Sequence, residues 1–178
     1  MNNNILKILI TEDEIKEKVK ELGKVITEDY KDKDLMIIGI LKGCVIFLSD
    51  LVREIELPLT MDFMVVSSYG SSTKSSGVVR IIKDLEKDIS GKDVLIVEDI
   101  VDTGLTLNYL VDYLKSRNAN SVKICTLLEK AERRKVKVDL EYVGFHIPDE
   151  FVVGYGLDYS EVYRNLPFVC VLKPEVYS

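Results

Sequence analysis

The stretch VLIVEDIVDTGLTL, residues 94–107, decides how this chain is read. The run DVLIV (93–97) is short, apolar and unbroken, as a strand buried on both faces must be. Further on, Leu107, Leu110, Val111 and Leu114 recur at helical spacing. Between strand and helix lies an acidic turn holding Glu98, Asp99 and Asp102, followed by Thr103, Gly104 and Thr106. Three carboxylates so close repel one another, so folding alone gives no reason for them. A ligand does.

The same alternation continues on either side. TEDEIKEKVKELGKVITEDY (11–30) opens with a capping box, Thr11 to Glu14, and places Ile15, Val19, Leu22 and Ile26 on one helical face. LMIIGIL (35–41) reads as a buried strand broken by Lys42 and Gly43, and residues 44–55 read as a buried helix. Strands are expected over 61–69, 78–85, 121–128, 140–145 and 151–156. GSSTKSSG (70–77) is polar and aperiodic, a mobile loop. Strands alternating with helices predict an α/β fold, a mainly parallel twisted sheet flanked by helices, in one domain over 1–178. Ligands in such folds bind beyond the carboxyl ends of the strands. That rule selects Lys42–Gly43, the 98–106 turn, Lys130 and the region after 153.

Composition narrows the partners. Hydrophobic residues make up 47% of the 178 and charged residues 30%, with net charge -6. This acidic balance argues against a nucleic-acid binder, which needs a basic face, but allows a small anion at a local site. Cys44, Cys125 and Cys170 are far apart among apolar neighbours, with no CxxC or Cys/His pair. They read as reduced core thiols rather than zinc ligands. The first ten residues lack the features of a signal peptide, and no apolar run approaches the ~20 residues of a membrane span. The chain therefore reads as cytoplasmic, with no membrane partner.

The turn itself offers two chemistries. In DTGLT a strand ends, a glycine turns and a helix begins, so unpaired backbone N–H groups and the positive helix end can cradle a phosphate beside the Thr103 and Thr106 hydroxyls. An ordinary strand-to-helix turn has the same pattern, and neither GxxxxGK[ST] nor GxGxxG occurs. Glu98 and Asp99 can accept hydrogen bonds from a vicinal diol or hold Mg²⁺. A pentose 5-phosphate meets both halves of the turn; the alternative is a solvated acidic loop, whose charges need no ligand.

VLIVEDIVDTGLTL resembles the ribose-phosphate motif of the type I phosphoribosyltransferases. ILKG (40–43), SSYG (67–70), the Lys after LLE, and FVVGYGLDYSEVYRNLP (151–167) follow in the order seen in the hypoxanthine-guanine branch of that family. The resemblance covers most of the chain from about residue 35. It implies transfer of the phosphoribosyl group from phosphoribosyl pyrophosphate to N9 of hypoxanthine or guanine, with Mg²⁺ as cofactor and pyrophosphate leaving. It also implies a small hood formed by the N- and C-terminal segments, and a homodimer or homotetramer.

Residue by residue, the resemblance assigns Glu98 and Asp99 to the ribose hydroxyls and metal waters, Asp102 to N7 of the purine as general acid/base, and Thr103, Gly104, Leu105 and Thr106 to the 5-phosphate. Some relatives carry Lys or another polar residue at Leu105; a backbone cradle does not need that side chain. Lys130 resembles the donor to the purine O6, a role that suits a group with donors only. Phe151 resembles the aromatic that stacks on the base, with Val152 giving backbone contacts. Asp158 resembles a Mg²⁺ ligand and Arg164 the grip on pyrophosphate. Lys42 and Gly43 match the pyrophosphate loop, with a cis peptide before the Lys, and Ser68 and Tyr69 match a loop that closes over the reacting centre. Arg134 matches a further arginine near the site. His146 receives no role.

Two other readings fit parts of the sequence. A non-catalytic relative that senses nucleotides would keep the cradle, although the Ser-Tyr loop and the Asp158/Arg164 pair speak for catalysis. A phosphoacceptor signalling domain also places acids and a Lys at strand ends, but its acidic pair follows the first strand, not a mid-chain one. The preference among hypoxanthine, guanine and xanthine stays open.

Overall fold

The computed structural model describes residues 2–68 and 79–177. Strand β1 (Ile5–Ile10) leads into helix α1 (Glu12–Asp29), then β2 (Leu35–Leu41), α2 (Val45–Arg53), β3 (Leu59–Ser68) and β4 (Val79–Lys83). There follow β5 (Asp93–Val101), α3 (Leu105–Ser116), β6 (Ser121–Glu129), β7 (Tyr142–His146), β8 (Val152–Val153) and β9 (Val169–Leu172). Six strands form the central sheet in the order β4-β3-β2-β5-β6-β7, and β1-β9-β8 form a second, small sheet. All neighbours in the central sheet run parallel except β3 and β4.

Burial on both faces explains the unbroken apolar strands. Leu35, Ile37, Leu95 and Val97 pack with Ile15, Val19, Leu22 and Ile26 of α1 and Phe47, Leu48 and Leu51 of α2. Their strand neighbours Met36, Ile38, Val94 and Ile96 face the other way, onto Leu107, Leu110 and Leu114 of α3. Period-two alternation thus feeds two cores from one run of sequence. Helix α1 starts where the capping box places it: Thr11 Oγ1 accepts from the Glu14 N–H at 3.3 Å, and the Glu14 carboxylate accepts from the Thr11 N–H at 2.8 Å.

The α/β expectation, with its parallel sheet and terminal hood, holds; several elements differ in detail. Helix α2 is not buried all round, since Val45 and Ile46 are exposed while Phe47, Leu48 and Leu51 are buried. The strand expected over 151–156 is the two-residue β8, and it belongs to the small sheet. Strands β1 and β9, unread in the sequence, pair antiparallel and join the two ends of the chain. Their hood buries Val153, Tyr163, Leu166, Cys170 and Leu172 in its own cluster, while Val152, Val169 and Val171 join the core beneath. All three cysteines are free and buried. Among the described residues no helix is long and apolar enough to cross a membrane.

Candidate active site

Because β2, β5, β6 and β7 are parallel, their carboxyl ends share one edge of the sheet. That edge carries Lys42–Gly43 after β2, residues 102–106 after β5, Lys130 after β6, and the loop from β7 to Phe151. A cavity of about 240 Å³ opens there, walled by Glu98, Asp99, Asp102, Thr103, Gly104 and Thr106 among others.

Glu98 and Asp99 are not in the turn, as the sequence suggested, but in the second half of β5. The strand's alternation slips at this point. Leu95 and Val97 face the α1–α2 core, and so does Ile100; Val94, Ile96 and Val101 face α3. Both carboxylates fall at the slip. Burial pushes the Glu98 carboxyl well above its usual range, and the neighbouring Asp99 charge adds to this. Burial also lifts Asp99, to about 6, against hydrogen bonds from backbone N–H groups and the field of Arg164. The Ile100 N–H donates to Asp99 Oδ1 at 2.8 Å. Two acids held in the protonated direction, with no ion pair to either among the described residues, form a site that a cation or a diol would relieve.

Asp99 is set by glycines. A Cβ on Gly43 would overlap Asp99 Oδ2, and a Cβ on Gly156, whose φ is +102°, would overlap the Gly43 carbonyl oxygen. The stack Asp99–Gly43–Gly156 brings the loop after β2, the acidic end of β5 and the hood segment into contact. The Leu41–Lys42 peptide is cis, as the resemblance implied.

Beyond β5 the chain turns at Gly104 (φ +81°), which as N-cap has no side chain to offer α3, and the Thr103 hydroxyl accepts from the Leu105 N–H at a long 3.4 Å. The other N–H groups of the first turn of α3 are available to an anion. The turn is anchored from the far side: the Lys135 N–H donates to the Thr103 carbonyl at 2.9 Å, and a Cβ on Gly104 would lie 3.1 Å from Arg134 Cδ and Nη1. Arg134 is thus beside the phosphate turn. Its Nη2 pairs with Glu129 Oε1 at 2.6 Å, while Nη1 is buried without a hydrogen-bond partner.

Lys130 is not a surface lysine. Only 8% of it is exposed, and its Nζ lies 3.5 Å from Asp149 Oδ1. Phe151 is the reverse: inside an apolar run, yet 38% exposed. Tyr177 stacks on its ring with centroids 4.7 Å apart, and Tyr159 meets it edge-on at 5.8 Å. Val152 is buried in β8, against Val171 of β9. Across the edge, Arg164 Nη2 reaches Asp158 Oδ1 at 2.9 Å, and Nη1 donates to the Gly156 carbonyl at 2.8 Å. Lys42 Nζ pairs with Glu161 Oε2 at 2.9 Å, and the Glu161 N–H donates to Asp158 Oδ2 at 2.8 Å. Ser68 ends β3. Tyr69 and the 70–77 segment lie outside the described residues.

Among the described residues no group of three or more His, Cys, Asp or Glu side chains forms a complete metal cage. The donor set nevertheless fits Mg²⁺, which takes one or two carboxylates and completes its shell with water and phosphate oxygens. Asp99 and Asp158 repel across the site, and a divalent cation between acids of this kind removes such repulsion.

Sequence reading passed over Arg133, Asp149, Glu161 and Tyr177. Arg133 Nε lies 2.8 Å from Asp102 Oδ1, and its Nη1 is 3.4 Å from Asp149 Oδ1. The basic run RRKVK reads as a solvated face, and nothing along the chain marks its first Arg. A spacing of three from Lys130 across a short 3₁₀ turn is the one available signal, since residues i and i+3 eclipse there.

Comparison with known proteins completes the picture. The phosphoribosyl transferase domain family matches residues 8–160. Hypoxanthine-guanine phosphoribosyltransferase of Bacillus subtilis (strain 168) is 56% identical over 178 residues, covering 100% of this chain and 99% of the relative. The bifunctional protein TilS/HprT of Listeria monocytogenes is 54% identical over the same 178 residues, of which this chain spans 28% of the length. A crystal structure of a hypoxanthine phosphoribosyltransferase from Staphylococcus aureus superposes with a TM-score of 0.97 at 54% identity, covering 100% of this chain and 97% of that one.

Proposed function

The chain belongs to the phosphoribosyl transferase family, and from that premise we propose that it is a purine-salvage enzyme acting as one domain over 1–178. It transfers the 5-phosphoribosyl group of phosphoribosyl pyrophosphate to N9 of hypoxanthine or guanine, giving IMP or GMP and pyrophosphate. One observation carries this reading: a desolvated acid pair and the glycine-led start of α3 line a single cavity at the carboxyl edge of the sheet. A sugar phosphate presents hydroxyls to the acids and a phosphate to the helix start.

The α3 N-terminus and the Thr103 and Thr106 hydroxyls hold the 5-phosphate, with the Leu105 side chain uninvolved. Glu98 and Asp99 accept from the ribose hydroxyls. Lys42 and Arg164 face the pyrophosphate; a guanidinium fork matches such oxygens. Asp158, with Glu98 and Asp99, would hold Mg²⁺, which would supply positive charge facing the pyrophosphate oxygens. Lys130 donates to the purine O6, a contact an adenine amino group cannot accept. Phe151 stacks on the base and Val152 offers backbone groups. N9 attacks C1 as the C1–oxygen bond breaks, the electron pair leaves with pyrophosphate, and Asp102 takes the N7 proton. Ser68 and Tyr69 are assigned by the resemblance to a loop whose role would be to keep water from the activated sugar. The enzyme acts in the cytoplasm as a homodimer or homotetramer, and needs neither nucleic acid nor membrane.

Incubation with Mg²⁺, phosphoribosyl pyrophosphate and each purine base, followed by chromatography, tests the reading. IMP and GMP are expected, and their absence overturns it.

A further inference from the structure

We infer that Arg133 is a positioning residue that orients the proton-transfer carboxylate of Asp102 and ties it, through Asp149, to Lys130. This rests on the purine phosphoribosyl transfer proposed above. The two oxygens of Asp102 are not equivalent. Oδ1 is buried, lies 2.8 Å from Arg133 Nε and makes no hydrogen bond of good geometry, so the contact is an ion pair. The side chain as a whole is 39% exposed, which leaves Oδ2 as the oxygen turned to the cavity. One oxygen is held and the other is presented.

Arg133 is itself held from both ends. Its Nη1 lies 3.4 Å from Asp149 Oδ1, and the same oxygen lies 3.5 Å from Lys130 Nζ. The short 3₁₀ turn Ala131–Arg133 stacks Lys130 and Arg133 on one side, so a single carboxylate serves both. The Ile147 N–H donates to the Glu129 carbonyl at 2.9 Å and fixes the strand end that leads to Asp149. The series Lys130–Asp149–Arg133–Asp102 is therefore continuous. A 6-oxopurine presents O6 and N7 side by side on one edge. A donor for O6 and a carboxylate for N7 must then stand at one fixed spacing, and this ion-pair series sets it. A loosened Asp102 would cost rate steeply, because proton transfer depends on a well-placed group.

Steady-state kinetics on a double-mutant cycle provides the test. Arg133→Gln is expected to lower kcat by ~10-fold or more while KM for phosphoribosyl pyrophosphate stays unchanged, because Arg133 does not touch that substrate. In an Asp102→Asn background the same change is expected to do nothing further, since the group it positions is gone. Arg133→Lys, which keeps the charge but not the planar fork, is expected to recover part of the rate. Equal losses in both backgrounds, or no loss in either, overturn the inference. Wild-type protein that makes no IMP sinks the functional reading and this inference with it. Active wild-type with an indifferent Arg133 sinks this inference alone.

Discussion

Asp99 shows how a single residue can work against the fold that holds it. Burial raises its carboxyl to about 6, above the ordinary ~3.9 of an unfolded chain. A carboxyl raised on folding leaves stability intact below the unfolded value and removes it as pH climbs through the folded one. An offset of that size is worth at most about 3 kcal/mol, and roughly 1 kcal/mol once screening of this half-buried group is counted. Asp99→Asn is therefore expected to raise the melting temperature of ligand-free protein at pH 7.5 and to leave it unchanged at pH 4. Equal shifts at both pH values would show that ionisation is not the cause. Function divides between two other residues. Asp102→Asn is expected to lower kcat by ~10²–10⁴-fold with little change in KM for phosphoribosyl pyrophosphate. Lys130→Ala is expected to raise KM for hypoxanthine, with the sugar substrate unaffected. Initial-rate kinetics separates the two.

At the scale of elements, the site is assembled from strand ends that make few contacts of their own. The β2 loop, the end of β5 and the hood segment meet at Gly43, Asp99 and Gly156, with the Lys42–Glu161 ion pair as a further link. Gly156 has φ +102° and no room for a methyl group. Gly156→Ala is expected to cost on the order of 1–3 kcal/mol in stability, read by urea denaturation, and to weaken phosphoribosyl pyrophosphate binding by moving the Lys42 loop. A variant with normal stability and normal KM would separate the stack from the site. Helix α1 behaves more simply. Its capping residues Thr11 and Glu14 do not line the cavity, so Thr11→Ala is expected to cost ~1 kcal/mol and leave kcat unchanged.

Over the whole molecule, two cores and a hood hold the carboxyl edge in place. Phe47 is completely buried where α2 meets the central sheet. Phe47→Ala is expected to destabilise the protein by about 3–5 kcal/mol, read as a fall in melting temperature. Mg²⁺ with phosphoribosyl pyrophosphate is expected to restore part of that loss, because a ligand that binds only the folded form stabilises it. The hood brings Tyr177, near the end of the chain, onto the ring of Phe151, and pairs β9 with β1 at its start. The ring proposed to stack on the purine is therefore held by segments from both ends of the fold.

The α/β alternation, the helix start at Thr11 and the glycine turn between β5 and α3 are legible along the chain alone. Each of these is a local pattern: a hydrophobic period, a capping residue, a glycine between strand and helix. Resemblance carried the site residues further, and the structure brings Lys42, Asp102, Lys130, Phe151, Asp158 and Arg164 to one edge of the sheet. Tertiary structure alone decided that Lys130 is buried and Phe151 exposed, against the habits of both residue types. It also decided that Glu98 and Asp99 sit in a strand where the alternation slips, and that Arg133 meets Asp102. Those facts depend on contacts between residues far apart in the chain or on separate elements, and no local period records which distant surface will cover a side chain.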